Sequence, residues 1–175
     1  MDPNYELTRV VINRLKRDVS VSGFVAARVF DRVPAEPKPV FPYISMGPSD
    51  VLQDDAECIM GEEISFQIDC WSEGDGEAYG SAEVKKLAGV VKRCLHGAEV
   101  TVIDREPFER YRAEDSASGI SLYPSVVMDF STGLSLSPRE TGNVTIDHRI
   151  TRIMREPNGI TNHAALSFRA FVEID

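Results

Sequence analysis

The sequence predicts an α+β fold: a single antiparallel or mixed sheet of four to six strands, two helices packed on one face, and a long irregular insertion. Three observations carry this. Ile64, Phe66, Ile68 and Cys70 alternate with Ser65, Gln67, Asp69 and Trp71, and Leu166, Phe168, Ala170, Val172 and Ile174 do the same near the end of the chain. That is the period-2 signature of strands buried on one face. Leu7, Val10, Val11 and Leu15 recur at helical spacing, as do Leu87, Val90/Val91 and Cys94/Leu95. The order helix, mixed segment, two strands, helix, then further strands suits a sheet covered on one side. At 175 residues the chain reads as one domain over 1–175, with 104–143 as a loop or arm insertion.

The first helix is placed at 3–17, because Asp2 can cap free amides and Pro3 fits the first helical position. Residues 19–33 are mixed, with Phe24–Phe30 readable as a short strand or a turn of helix. Pro34, Pro37, Pro39, Pro42 and Pro48 punctuate the next stretch of chain. Proline removes a backbone donor, so extended loop is expected there, with an edge strand near Val40–Met46. Gly47–Glu63 carries Asp50, Asp54, Asp55, Glu57, Glu62 and Glu63 without a Lys or Arg, and its first part reads as a solvated loop.

From Glu63 the clean strand begins. It ends at Ser72-Glu73-Gly74-Asp75-Gly76, where Ser72 or Asp75 could cap the second helix, and Gly97 stops that helix. Trp71 lies opposite the core stripe. The expectation is that the N-terminal helix covers it, the other arrangement being exposure toward a partner. Val100–Ile103 is a strand. Residues 104–143 offer one strand at Ser125–Phe130 amid Pro, Ser and Gly punctuation. The final 144–175 is an antiparallel hairpin turning at Glu156-Pro157-Asn158-Gly159, where Gly after Asn accepts a positive φ.

Composition excludes several functions. The net charge is −9, with no dense basic run, which argues against a nucleic-acid partner. No apolar run reaches the roughly 20 residues that a bilayer-spanning helix needs, so no membrane partner is expected. Met1–Glu6 lacks the basic start and apolar stretch of a secretion signal. Cys58, Cys70 and Cys94, odd in number and without CxxC spacing, suit a reducing compartment.

Motifs for chemistry are weak. Gly74, Gly76 and Gly80 stand where a dinucleotide loop belongs, but Glu73, Asp75 and Glu77 would repel a pyrophosphate there. A calcium loop starting at Asp69 fails, because Trp71 occupies a ligand position and Gly80 the place of the bidentate Glu. His96, His148 and His163 form no zinc spacing, and His96 suits a helix C-terminus. Asp147 and His148 sit on a strand, where neighbouring side chains point to opposite faces. No enzyme activity, cofactor, metal or catalytic residue is therefore expected.

Phe41-Pro42-Tyr43-Ile44-Ser45-Met46, then Ile64 to Ser72 with its terminal Trp71-Ser72, then Gly76 and a helix ending Leu95-His96-Gly97, followed by a Val-rich strand, carry a resemblance. In order and spacing they resemble the tail-terminator or tail-completion proteins of tailed phages and gene transfer agents. The resemblance covers residues 3–103 and a closing strand at 164–174. It implies a structural virion protein that forms a homo-oligomeric ring, typically a hexamer. The ring caps the tail tube and joins it to the head and neck, so the implied partners are its own copies, the tail tube protein and head-completion or neck proteins. The implied location is the virion, and the bacterial host cytoplasm during assembly. The long 104–143 connection departs from the family pattern. Because loops carry contacts more often than scaffold does, partner contacts are expected at Asp50, Asp54, Asp55, Glu57, Arg110, Tyr111 and Arg112. The competing readings are a head-side connector and a small cytosolic enzyme or ligand-binding domain.

Overall fold

A computed structural model describes residues 2–54, 61–74, 80–104 and 139–173. Along the chain run α1 (Pro3–Arg17), α2 (Val19–Val25), β1 (Val29–Phe30), β2 (Tyr43–Gln53), β3 (Gly61–Ser72), α3 (Ala82–Leu95), β4 (Ala98–Asp104), β5 (Arg139–Arg155) and β6 (Asn162–Glu173). The strands form a six-stranded mixed sheet in the order β1-β2-β3-β6-β5-β4. β1 lies parallel to β2, and every other pairing is antiparallel. The α+β expectation holds, with α2 as a short third helix.

The termini of α1 follow the sequence. Asp2 Oδ1 accepts from the amides of Asn4 and Tyr5 at 3.0 and 3.3 Å, and Pro3 opens the helix. Such a cap is worth about 1 kcal/mol. Asp18 ends α1 and caps α2 by accepting from the Val21 amide at 2.9 Å. Ala26, at φ 50°, then breaks the helix without a glycine.

The core lies between the helices and one sheet face. Leu7, Val11 and Leu15 of α1, Val21 and Val25 of α2, and Leu87, Val91 and Leu95 of α3 pack with Ile64, Ile68, Leu166, Phe168 and Ile146. Ile64, Phe66, Ile68 and Cys70 on β3 stand opposite Ala170, Phe168, Leu166 and Ala164 on β6. From Ile64 to Cys70 and from Ala164 to Ala170 one face of each central strand is therefore apolar, and the buried polar pair Ser72 and Asn162 closes its end.

Three expectations are corrected. The edge strand predicted at Val40–Met46 runs from Tyr43 to Gln53, so the first part of the acidic segment is strand rather than solvated loop. Pairing to β3 through Gln53↔Glu62 holds it, and a bulge between Met46 and Ser49 absorbs Gly47 and Pro48. Trp71 is not covered by the N-terminal helix. Its strand neighbour Cys70 faces the core that contains α1, so Trp71 projects from the opposite face. Nor does Ser72 cap α3: Ser81 is the N-cap residue and makes no side-chain cap bond. Ser72 Oγ instead bonds the Glu83 carboxylate and accepts from the Gly74 amide.

β4 and β5 extend into both ends of the 104–143 span, and the strand predicted at Ser125–Phe130 lies outside the described residues. The terminal hairpin forms as predicted. Asn158 Oδ1 accepts from the amides of Ile160 and Thr161, each at 2.9 Å, and Gly159 takes φ +72°.

Candidate assembly surfaces

The sheet face turned away from the helices carries a polar-aromatic cluster built from three strands. Register places Tyr43 opposite Trp71 and Trp71 opposite His163. Trp71 and His163 stack with centroids 4.0 Å apart and planes 3° from parallel, and Tyr43 stacks on the other side of Trp71 at 6.1 Å. Phe41 extends the row at 5.1 Å from Tyr43. Burial pushes the Tyr43 phenol above its ordinary pKa.

Hydrogen bonds lock the row to the sheet. Trp71 Nε1 donates to Ser45 Oγ at 3.1 Å. His163 Nε2 and Gln67 Nε2 both donate to Asp69 Oδ1 at 2.8 Å. His163 Nδ1 lies 3.6 Å from a Glu156 oxygen. Asp69, though 8% exposed, is thus satisfied, and among the described residues every buried side-chain polar atom has a partner. A carboxylate held by two donors suits a rigid surface.

The two lateral margins of the sheet differ in charge. Beyond Ser45, β2 has β3 on one side and, among the described residues, no strand on the other. This stretch carries Asp50 and leads to Asp54, with Val51 and Leu52 exposed between them. At the opposite margin β4 pairs with β5 no further than Ile146. The His148 amide then donates to His96 Nδ1 at 3.2 Å, closing that junction. The outer half of β5 continues with Arg149, Ile150, Arg152, Ile153 and Met154, all exposed.

Of the sequence-predicted contact residues, Asp50 and Asp54 lie together at the far end of β2, while Asp55, Glu57, Arg110, Tyr111 and Arg112 lie outside the described residues. Sequence reasoning missed His163, Asp69 and Gln67 as one cluster, and Arg149 and Arg152 as one margin. Period-2 alternation could have placed Asp69 beside Trp71 on the outer face, but His163 required the β3–β6 register.

Two hollows stand out among the described residues. One of about 530 Å³ lies between α1 and β4, where Arg14, Arg17, Asp18, Cys94 and Glu99 meet. The other, about 460 Å³, lies on the outer face around the Arg169–Glu63 ion pair, 3.0 Å apart. The first offers no activated nucleophile: burial and the Asp18 charge push the Cys94 thiol up to about 11, away from the thiolate. Cys70 is fully buried and its pKa is likewise raised by burial. Among the described residues no three His, Cys, Asp or Glu side chains converge as a metal site would require.

His148 is half-buried where β5 passes the end of α3. Burial lowers its pKa, with Lys92 and His96 adding to the effect, while its ring stands edge-on to Phe168 at 5.4 Å. A lowered imidazole pKa means that the unfolded chain binds the proton first as pH falls. Its contribution to stability is therefore full above about pH 6.5 and declines as pH drops through that value. Thermal unfolding between pH 7.5 and 5 should show a steeper loss of Tm for the wild type than for His148→Gln. Parallel pH profiles would contradict this reading.

Residues 9–135 match the family model described as "Tail completion protein gp17". A chain from the virion of a native gene transfer agent (GTA) particle has the same fold, with a TM-score of 0.65 at 22% identity over 99% of this chain and 98% of that one. No curated protein matches the sequence. No described helix is long and apolar enough to cross a membrane.

Proposed function

This chain belongs to the tail completion protein gp17 family, and from that premise we propose that it is a tail terminator: a structural subunit that closes into a ring on the end of the tail tube and presents the surface on which head and neck proteins dock. The observation that carries this reading is that, in a tail completion chain, part of each margin of the sheet has no further strand beside it among the described residues. A subunit offering two different margins can bond its neighbours head to tail, and such heterologous contacts close into a ring when the rotation per step divides a full turn. We infer six copies, from the resemblance to tail terminators. The protein acts through shape and surface, without a chemical transformation. Asp50, Asp54, Asp55, Glu57, Arg110, Tyr111 and Arg112 are proposed partner contacts, of which Asp50 and Asp54 lie at the far end of β2.

The test combines the purified chain with tail tubes assembled in its absence, followed by light scattering and negative-stain imaging. Both are needed, because a subunit that waits for a tube end is monomeric alone. A closed ring on one end of the tube is expected. A chain that stays monomeric and leaves tubes bare would sink the proposal, and binding to heads without tubes would assign it to the head-side connector.

A further inference from the structure

Resting on the ring reading above, we propose that neighbouring copies join strand to strand: the acidic margin of one copy (Ser49–Leu52 of β2) adds to the basic margin of the next (Ile150–Met154 of β5), making one sheet continuous around the ring.

Four observations converge. First, both stretches are regular strand with one side bonded and, among the described residues, no strand on the other. A row of unpaired amides and carbonyls is a template for another strand. Second, the stretches are of similar length. Pro48 has no amide to donate and β1 already occupies Ile44 and Ser45, so β2 offers the four residues Ser49–Leu52. On β5 the junction closed by His96 leaves the five residues from Ile150. Third, each stretch exposes apolar side chains that a partner strand would cover: Leu52 at 62% and Val51 at 43%, against Ile150 and Met154 at 42% and Ile153 at 40%.

Fourth, the charges are opposite and unspent. Asp50 lies within one stretch with Asp54 just past it, Arg152 lies within the other with Arg149 just before it, and none of the four makes an ion pair with a described residue. Like charges directly opposed across strands are destabilising, and opposite ones favourable. Two β2 margins brought together would gather four aspartates along one seam, and two β5 margins four arginines. The margins therefore reject the two-fold dimer that free edges otherwise invite and select the head-to-tail contact a ring needs. Main-chain hydrogen bonds supply the attachment, and the side chains supply its direction.

The experiment uses the full chain with tail tubes assembled without it, scored for capped ends by negative stain. Arg149→Glu/Arg152→Glu and Asp50→Arg/Asp54→Arg should each reduce capped ends at least tenfold while keeping the wild-type circular dichroism and Tm. The chain carrying all four reversals should cap tubes again. So should an equimolar mixture of the two single-margin variants, because in a ring with an even number of places they can alternate, each margin then meeting its opposite. Should a reversal variant fail to fold, Arg149→Gln/Arg152→Gln takes its place, with a rise in the chain concentration needed for capping as the expected result. Reversed variants that cap like the wild type would overturn the edge pairing while leaving the ring intact. Failure of both the four-fold variant and the mixture would also overturn it, as would variants that form rings but lose head docking. If the wild type itself forms no ring, the ring reading falls, and this contact with it.

Discussion

Replacing Phe168 by alanine should cost the fold about 3–5 kcal/mol, the range for deleting a large aromatic from a packed core. Phe168 is 1% exposed at the middle of β6, the strand that holds β3 on one side and β5 on the other. Its ring stacks on Phe66 at 5.5 Å and meets His148 edge-on at 5.4 Å. The inward-facing residues two and four positions along β6 include Ala170 and Ala164, whose methyl groups are too short to reach into the vacated space. The cavity therefore stays largely open, placing the cost toward the upper end. For a chain of this length each kcal/mol lowers Tm by roughly 2–4 °C, so thermal unfolding should show a drop of about 6–20 °C. Urea unfolding of Phe66→Ala, Phe168→Ala and the double variant would isolate the stacked pair, expected to couple by about 0.5–1.5 kcal/mol. A loss under 1 kcal/mol for Phe168→Ala would mean that this ring is not the centre of the core.

The parts of this core that were legible in the sequence are those where one physical cause dominates. β3 and β6 alternate cleanly because helices bury one face along their whole length, so every second residue from Ile64 to Cys70 is apolar. α1 was legible to the residue because Asp2 and Pro3 fix its start. The distal half of β2 was not, because Gly47-Pro48-Ser49-Asp50 has the composition of a loop and is strand only through pairing with residues of β3. The break at Ala26 carries no glycine signal. The outer-face cluster failed for a different reason. Asp69 and His163 are 94 positions apart and meet through register alone, which alternation within one strand cannot supply. Arg149 and Arg152 look like ordinary solvated charges until the early end of β4 leaves their strand uncovered.

The second large effect is expected where the outer-face cluster meets the β2 bulge. Asp69→Ala removes an acceptor shared by His163 and Gln67, and hydrogen bonds to a charged group contribute roughly 1.5–3 kcal/mol. A loss of about 2–3 kcal/mol is expected. Gly47→Ala acts on the same spot from the other side. A β-carbon there would stand 2.8 Å from Asp69 Oδ2 and 3.0 Å from Gln67 Cβ, too close for either to remain in place. Overpacking of this kind costs about 1–3 kcal/mol. The two changes should not add. With Asp69 truncated, the new methyl enters space the carboxylate has left, and only the Gln67 contact still resists it. The double variant should therefore fall short of the summed losses by about 1 kcal/mol, within the range seen for residues in contact. A urea-unfolding cycle over the four chains measures this, and additivity within about 0.3 kcal/mol would show that Gly47 is not held against Asp69. The coupling also reaches assembly, because the bulge at Gly47 and Pro48 sets which side of β2 Asp50 takes. Gly47→Ala should therefore impair capping of tail tubes at temperatures where the variant is still folded, and truncating Asp69 should restore part of it.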